Sequence, residues 1–461
     1  MSEPGNLGGA SNIHERGAPR VARRRPEAPV QHAVPSPSLS SPSTGAIAHP
    51  LIVPLPRLLP PFGRVLRRAA LARLRSIWQR GRLDVTLPGG ERVRLGGAGP
   101  ADAAVRVHDD RMFLRLLLRG ELGGGEAYVA GEWSSDDLVG ALRVFLRATG
   151  ARGFESPLTR LAQLPTRLRH KRAANTRDGS ERNIHAHYDL GNALYELFLD
   201  PATMMYSSAY WPELVPGAPY DALGPTLADA QRAKLDRLCG QLDLGPAAHL
   251  LEIGCGWGGM AIHAAATRGC RVTAITVSRE QHALAAARVQ AAGLAARVDI
   301  VYCDYRDLRG TFDKVVSIEM LEAVGYEYLP TFFHTCARVL RPGGALALQS
   351  ITMPHERFDA YRRQVDWMQT YIFPGSCIPS VEVVRQMAAR AGLRIADALD
   401  IGPSYAPTLR AWREAFVARL PAVRALGYDE PFIRTWLMYL AFSEAAFAER
   451  TLGDHQLLLR A

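Results

Sequence analysis

The chain of 461 residues is too long for one ordinary domain, and with 48% hydrophobic residues it can bury a large core. Its formal net charge of +10 favours an anionic partner, either nucleic acid or an acidic lipid surface, and arginine carries the excess because lysine occurs only at 171, 234 and 314. The cysteines at 239, 255, 270, 303, 336 and 377 lack the close pairs of zinc or redox motifs, and no apolar run of about 18 residues or secretory leader is visible, which argues against an exported or membrane-spanning chain.

Residues 1–55, with PSPSLSSPSTG as a typical stretch, have almost no aromatic side chains to offset the entropy of ordering, and they are expected to form a disordered tail. In PFGRVLRRAALARLRSIWQRG the residues Val65, Leu66, Ala69, Ala70, Leu74, Ile77 and Trp78 recur at helical spacing, with arginines between them. This pattern suits a helix lying on an anionic bilayer and, equally, a domain's first helix with a solvated basic face. From Leu83 to Val144 short alternating segments with turn signals predict a small α+β domain, bounded at 56–150, in which Glu126, Tyr128, Gly131 and Trp133 precede a capped helix. A basic linker is expected over 151–182, and a main domain over 183–461. In the latter HLLEIG, RVTAIT, VDIVYC, FDKVVSI and ALALQSI read as buried strands separated mostly by helical patterns. That alternation predicts a Rossmann-like α/β domain with a mostly parallel, doubly wound sheet.

The first of these strands runs into LLEIGCGWGG, placing Gly254, Gly256 and Gly258 between strand and helix, where a ligand approaches the backbone and the turn needs positive φ. Such a turn alone is a weak signal. Glu252 within the strand and Cys255 in the E-x-G-C-G turn favour adenosylmethionine over a dinucleotide. A dinucleotide site would place an acidic residue about 20 positions on, but the segment there is AITVSREQ, which offers the neutral groups of Thr276, Ser278 and Gln281. Asp304 and Tyr305 follow the third strand, where an adenine edge would lie.

Together with HAHYDLGNALYELFLD, MMYSSAYW, SIEMLEAVGYEYLPTFF and QTYIFPGSCIPS, these motifs make residues 60–455 resemble the cyclopropane-fatty-acyl-phospholipid synthase family, S-adenosylmethionine-dependent enzymes with a class I methyltransferase fold. EMLEAVGYEYLPTFF, LQSITMPH and YLAFSEAAF are most similar to its tuberculostearic-acid-type fatty-acid methyltransferase branch. The resemblance implies methyl or methylene transfer to the double bond of unsaturated phospholipid acyl chains, giving cyclopropane, 10-methylene or 10-methyl products. It implies cofactor contacts at Tyr206, Ser207, Gly254, Gly256, Gly258, Thr276 and Gln281, and a bicarbonate ion as general base held by cysteine, glutamate, histidine and tyrosine. Glu322 and Tyr405 match two of those positions, whereas Ser208 and Gln349 replace the cysteine and histidine, and Ser443 matches a further family cysteine.

On chemistry alone, a poorly nucleophilic alkene that becomes a carbocation needs a dry pocket, aromatic faces and a base. Tyr206, Tyr210, Trp211, Tyr371, Phe373 and Tyr405 supply rings that could equally be core. Glu322 follows VVSIEM at the edge of the sheet where open α/β folds bind ligands, and Glu319, three residues earlier, competes for its role. His185 and His187 lack the carboxylate or cysteine cluster of a metal site, so no metal is expected. Competing readings are a non-catalytic lipid-binding relic, a small-molecule methyltransferase and a nucleic-acid methyltransferase. The last is disfavoured by EMLE where such enzymes commonly carry a polar-Pro-aromatic tetrapeptide. The expected setting is cytoplasmic and peripheral to an anionic membrane surface; a homodimer and a separate reductase stay open.

Overall fold

The computed structural model describes residues 60–150, 190–214 and 223–461, with isolated positions at 52, 55, 159, 175–177 and 179. The expected tail apart from 52 and 55, most of the 151–182 linker, and His185 and His187 lie outside the described residues.

The N-terminal part comprises α1 (Pro60–Ile77), β1 (Leu83–Thr86), β2 (Arg92–Leu95), β3 (Ala103–Val107), α2 (Arg111–Arg119), α3 (Glu121–Val129), β4 (Trp133–Ser134) and α4 (Leu138–Thr149). Its four strands form a sheet in the order β2-β1-β3-β4. β1 turns back into β2 through Gly89 and Gly90, both at positive φ, which closes a hairpin. The Asp137 side chain caps α4 by accepting from the Gly140 amide.

Along most of its length helix α1 packs as a domain's first helix, the second of its two readings, and not as a bilayer-facing stripe. Ala70, Leu74 and Ile77, joined by Leu71, are buried in the core. The physical reason is that α2 and the small sheet offer apolar surface, so the stripe leaves water by packing inward. What stays exposed is the N-terminal end, where Phe62 and Val65 are each 66% exposed and Arg64 and Arg68 are exposed beside them.

The C-terminal part runs through α5 (Asn192–Glu196), α6 (Leu227–Gln241), β5 (His249–Ile253), α7 (Gly259–Arg268), β6 (Arg271–Thr276), α8 (Arg279–Ala291), β7 (Val298–Tyr302), β8 (Phe312–Ile318), α9 (Leu321–Val324), α10 (Leu329–Val339) and β9 (Leu340–Thr352). It continues with α11 (His355–Tyr361), α12 (Trp367–Tyr371), α13 (Val381–Arg390), β10 (Arg394–Asp400), α14 (Tyr405–Ala418), α15 (Leu420–Ala425), α16 (Glu430–Ala448) and β11 (Gly453–Arg460). The sheet order is β10-β11-β9-β8-β5-β6-β7, parallel except for β11, which runs antiparallel to both neighbours. Strands β5 to β9 are the ones expected from the apolar runs. The chain leaves β5 towards β6 and β7 on one side and returns to β8 and β9 on the other, so a crevice opens at the C-terminal ends of β5 and β8.

The two parts share one core. A single cluster joins Phe113, Leu116 and Val144 to Tyr195, Trp412, Trp436 and Phe447. Gly125 on α3 lies so close to Trp367 of α12 that a Cβ would come within 2.5 Å of its Cδ1, which explains a glycine inside a helix there. Tyr371 donates to Glu126 at 2.6 Å across the same boundary. No described helix is long and apolar enough to cross a membrane.

Candidate active site

The glycine turn lies in the crevice. Gly254, Gly256 and Gly258 have φ of 83°, 52° and 80°, as the motif requires, and α7 starts immediately after them. A Cβ on Gly254 would come 2.7 Å from Met320 Cγ, whereas one on Gly256 would meet no protein atom within 4 Å. That open space belongs to a cavity that the turn shares with Glu252, Cys255, Thr276, Gln281, Asp304 and Tyr305. Tyr206 and Ser207 line it as well. Two polar atoms in this wall, Glu252 Oε2 and the Tyr305 hydroxyl, are buried without a hydrogen-bond partner among the described residues. Burial pushes the Glu252 carboxyl up to about 8. Open backbone and unpaired polar atoms together suit a polar, nucleoside-like ligand such as adenosylmethionine.

Within this wall Thr276 Oγ1 donates to Gln281 Oε1 at 3.0 Å and accepts from the Ser278 amide at 3.1 Å. Ser278 caps α8 by accepting from the Gln281 amide and is not among the lining residues, so it shapes the turn without facing the cavity. Asp304 is held by Arg306 through two 2.9 Å contacts. Met204, Met205, Trp257, Ile318 and Met320 also line the cavity, and sequence reasoning missed them because an apolar side chain in a motif looks like core. The one available signal was their position beside residues already singled out.

A second constellation lies where β8 ends. Glu319 follows Ile318 with φ of 49°, a left-handed conformation that strains any side chain except glycine's. Its Oε1 accepts from the Ser208 amide at 2.8 Å and from Gln349 Nε2 at 2.8 Å, and its Oε2 accepts from the Tyr405 hydroxyl at 2.6 Å. Gln349 is held in turn by Gln456, whose Nε2 donates to its Oε1 at 3.0 Å, and its own Nε2 also lies 3.1 Å from Asp454 Oδ2. Burial, followed by the neighbouring Glu319 charge, holds the Tyr405 hydroxyl well above its ordinary range, so it remains a donor.

The structure thus brings Ser208, Gln349 and Tyr405 together around Glu319. Ser208 contributes its amide, since its hydroxyl donates to the Ala209 carbonyl at 2.9 Å. Glu322 is turned towards β9, where its Oε1 accepts from Ser350 Oγ at 2.8 Å and from the Ile351 amide, while its Oε2 is buried without a partner among the described residues. Burial, reinforced by the Glu319 charge, pushes Glu322 up to about 8. Burial likewise holds Asp454 well above the carboxylate range, and it lowers Lys234, which donates to Ser207 Oγ at 2.7 Å, to about 7. The donors a bicarbonate ion would need are already spent on a side chain, so the residues present do not fit that ion. Ser443 is half-buried on α16 and does not line the cofactor cavity.

Behind the carboxylate stands an aromatic wall. Tyr206 packs against Trp412 with ring centroids 5.3 Å apart, Tyr405 stacks on Phe447 at 4.3 Å, and Tyr206 donates to the Tyr439 hydroxyl at 2.8 Å. Phe373 joins at 5.6 Å from Tyr439. Trp211 instead packs with Ala209 and Ala230, and Tyr371 serves the contact with Glu126. Trp412, Tyr439 and Phe447 come from the C-terminal helices; Tyr439 and Phe447 begin and end the segment YLAFSEAAF, in which the sequence assigned no role to either ring, and Trp412 lies outside every motif.

A family model described as mycolic acid cyclopropane synthetase matches residues 175–457. Tuberculostearic acid methyltransferase UfaA1 of Mycobacterium tuberculosis is 42% identical over 395 residues, covering 85% of this chain and 89% of that protein. Cyclopropane-fatty-acyl-phospholipid synthase of Escherichia coli is 36% identical over 361 residues, covering 78% of this chain and 87% of that protein. Among solved structures, mycolic acid cyclopropane synthase CmaA1 complexed with SAH and CTAB aligns with a TM-score of 0.54 at 28% identity, covering 61% of this chain and 98% of that chain. The cyclopropane synthase MmaA2 from Mycobacterium tuberculosis aligns with a TM-score of 0.55 at 28% identity, covering 60% of this chain and 97% of that chain.

Proposed function

The chain belongs to the mycolic acid cyclopropane synthetase family, and from that premise we propose that it transfers a methyl or methylene group to the double bond of an unsaturated phospholipid acyl chain. It is an S-adenosylmethionine-dependent methyltransferase. When bound, adenosylmethionine supplies a sulfonium methyl as electrophile. The protein's part is to hold that donor on the Gly254–Gly258 turn, to keep water from the acyl chain, and to stabilise the cation left on the chain after transfer. The observation that carries this reading is the adjacency of the cofactor cavity, a carboxylate and an aromatic wall. Glu319 and Tyr206 line the cavity; Tyr405 donates to Glu319, Trp412 packs on Tyr206, and Phe447 stacks on Tyr405. Aromatic faces stabilise a nearby cation by about 2 kcal/mol each when desolvated, against about 0.5 to 1 at exposed sites, without becoming alkylated as a stronger nucleophile would.

Such a substrate is reached at a membrane surface. The exposed end of α1, with Phe62 and Val65 beside Arg64 and Arg68, suits shallow insertion into an anionic leaflet. Arg67 takes no part, because it pairs with Asp110 at 2.8 Å. Mass analysis of lipids from a host that makes the protein, fed one monounsaturated acyl chain, tests the function. Acyl chains heavier by one methylene unit are expected, and none above the empty-host background would refute the reading.

A further inference from the structure

We propose that Glu319 is the resident general base of this enzyme, its side-chain carboxylate standing where the family resemblance implies a bicarbonate ion. The inference rests on methyl transfer to an acyl double bond and adds the atom that receives the proton. Four observations carry it. Three donors from three separate elements, the Ser208 amide, Gln349 Nε2 and the Tyr405 hydroxyl, converge on the two oxygens of this one carboxylate at 2.6 to 2.8 Å. Those are the positions that the resemblance assigns to holding the ion, so an ion and the Glu319 side chain compete for the same donors. Glu319 lines the cofactor cavity, whereas the neighbouring acid Asp454 is fully buried and Glu322 points into β9. Finally, the residue adopts φ of 49° at the end of β8, a strained placement for a glutamate that its hydrogen bonds hold in position.

The chemistry balances without any further reactant. After the alkene has taken the methyl group, the cation lies on the neighbouring chain carbon, and a C–H bond of the transferred methyl group breaks. Its electron pair closes the third side of a cyclopropane ring directly or, once a hydride has shifted to move the cation onto the methyl-bearing carbon, the π bond of a methylene product. The proton passes to Glu319, which becomes a neutral acid and later releases it to solvent. The remaining acids near this point are shifted away from this task by burial, reinforced by the Glu319 charge, which pushes Glu322 up to about 8 and holds Asp454 well above the carboxylate range.

The test uses the full-length protein with unsaturated phospholipid vesicles, in buffer stripped of carbon dioxide and then supplied with bicarbonate. Wild-type turnover is expected to be the same in both. Glu319→Gln is expected to lose about 10² to 10⁴-fold in kcat, the usual share of a general base, while binding adenosylmethionine with unchanged affinity. Glu319→Gly relieves the left-handed strain and empties the carboxylate's place, so its lost activity should return at least tenfold when bicarbonate or formate is added. Glu319→Gln should not respond, because its amide still fills the space. Calorimetric binding of adenosylmethionine shows that each variant is folded. Wild-type activity that falls when bicarbonate is removed, or full activity in Glu319→Gln, overturns the proposal while leaving the methyl-transfer reading intact. A wild-type protein that binds the cofactor and modifies no acyl chain sinks both.

Discussion

Gly256 shows how much one missing side chain can matter. Its φ of 52° would cost a β-branched residue about 1 to 3 kcal/mol of backbone strain, and its empty side is the cavity itself. Gly256→Val is therefore expected to weaken adenosylmethionine binding by at least about 100-fold, or ~2.7 kcal/mol. Gly293 lies in the α8–β7 connection with φ of 68° and no atom within 4 Å of a built Cβ. Gly293→Val carries the same strain away from the site, and calorimetry should find its affinity unchanged. Glu322 offers the opposite case, a residue singled out by sequence whose side chain the structure turns aside. Near neutral pH it is mostly protonated, and Gln keeps the acceptor oxygen used by Ser350 and Ile351. Glu322→Gln should then retain turnover within about tenfold in the lipid assay, against the roughly 10² to 10⁴-fold loss expected for Glu319→Gln. A collapse of kcat in Glu322→Gln with cofactor affinity intact would return the base to Glu322.

At the scale of the element, α1 divides its work along its length. Its C-terminal two thirds bury Ala70, Leu71, Leu74 and Ile77, and its N-terminal turns present Phe62 and Val65 to solvent among arginines. Membrane affinity of such a helix scales with the apolar area it inserts and with attraction to anionic lipid, which is screened over about 10 Å at 0.1 M salt. Phe62→Ser with Val65→Ser should lower sedimentation with phosphatidylglycerol-containing vesicles several-fold without changing the melting temperature, since neither side chain is buried. Binding by the unaltered protein should weaken as salt is raised. Equal sedimentation of the double variant, or of the parent with neutral and anionic vesicles, would remove α1 from the membrane contact.

Across the whole molecule, several buried groups titrate far from their usual ranges, and stability must follow pH accordingly. Glu252 and Glu322 keep their protons up to about pH 8 when folded, whereas in the unfolded chain they lose them near 4.5. The native state therefore binds more protons across that window. Stability falls as pH rises from about 4.5 through 8, at roughly 1.4 kcal/mol per pH unit for each group. Lys234 acts in the other direction, because it is neutral above about 7 when folded and charged up to 10.5 when unfolded, so its share of stability increases between those values. The ligand-free protein should melt at progressively lower temperature between pH 5 and pH 7, then fall more slowly to about pH 8 as the lysine begins to offset the acids. Glu322→Gln should flatten the first part of that curve. A melting temperature that climbs steadily from pH 5 to pH 7 would contradict the burial of these carboxyls.

Much of this protein is legible from the chain alone because the information is local. The runs HLLEIG to ALALQSI are continuous apolar strands, and a strand buried on both faces must be apolar throughout, so the parallel sheet could be read directly. Gly254 to Gly258 announce the cofactor turn because only glycine adopts those φ values without strain. Strands β10 and β11 escaped notice, since RIADALD is an edge strand with most residues partly exposed and carries no continuous apolar run. The sequence also named Ser208, Gln349 and Tyr405, and left Glu319 and Glu322 in competition. Only the tertiary structure separates those two glutamates. Three residues apart, they leave the end of β8 in different directions because Glu319 takes a left-handed φ and Glu322 lies one helical turn further on, and the partners that distinguish them arrive from positions 208, 349 and 405. Direction at a strand end and convergence across some two hundred residues are properties of packing, and no local pattern encodes them.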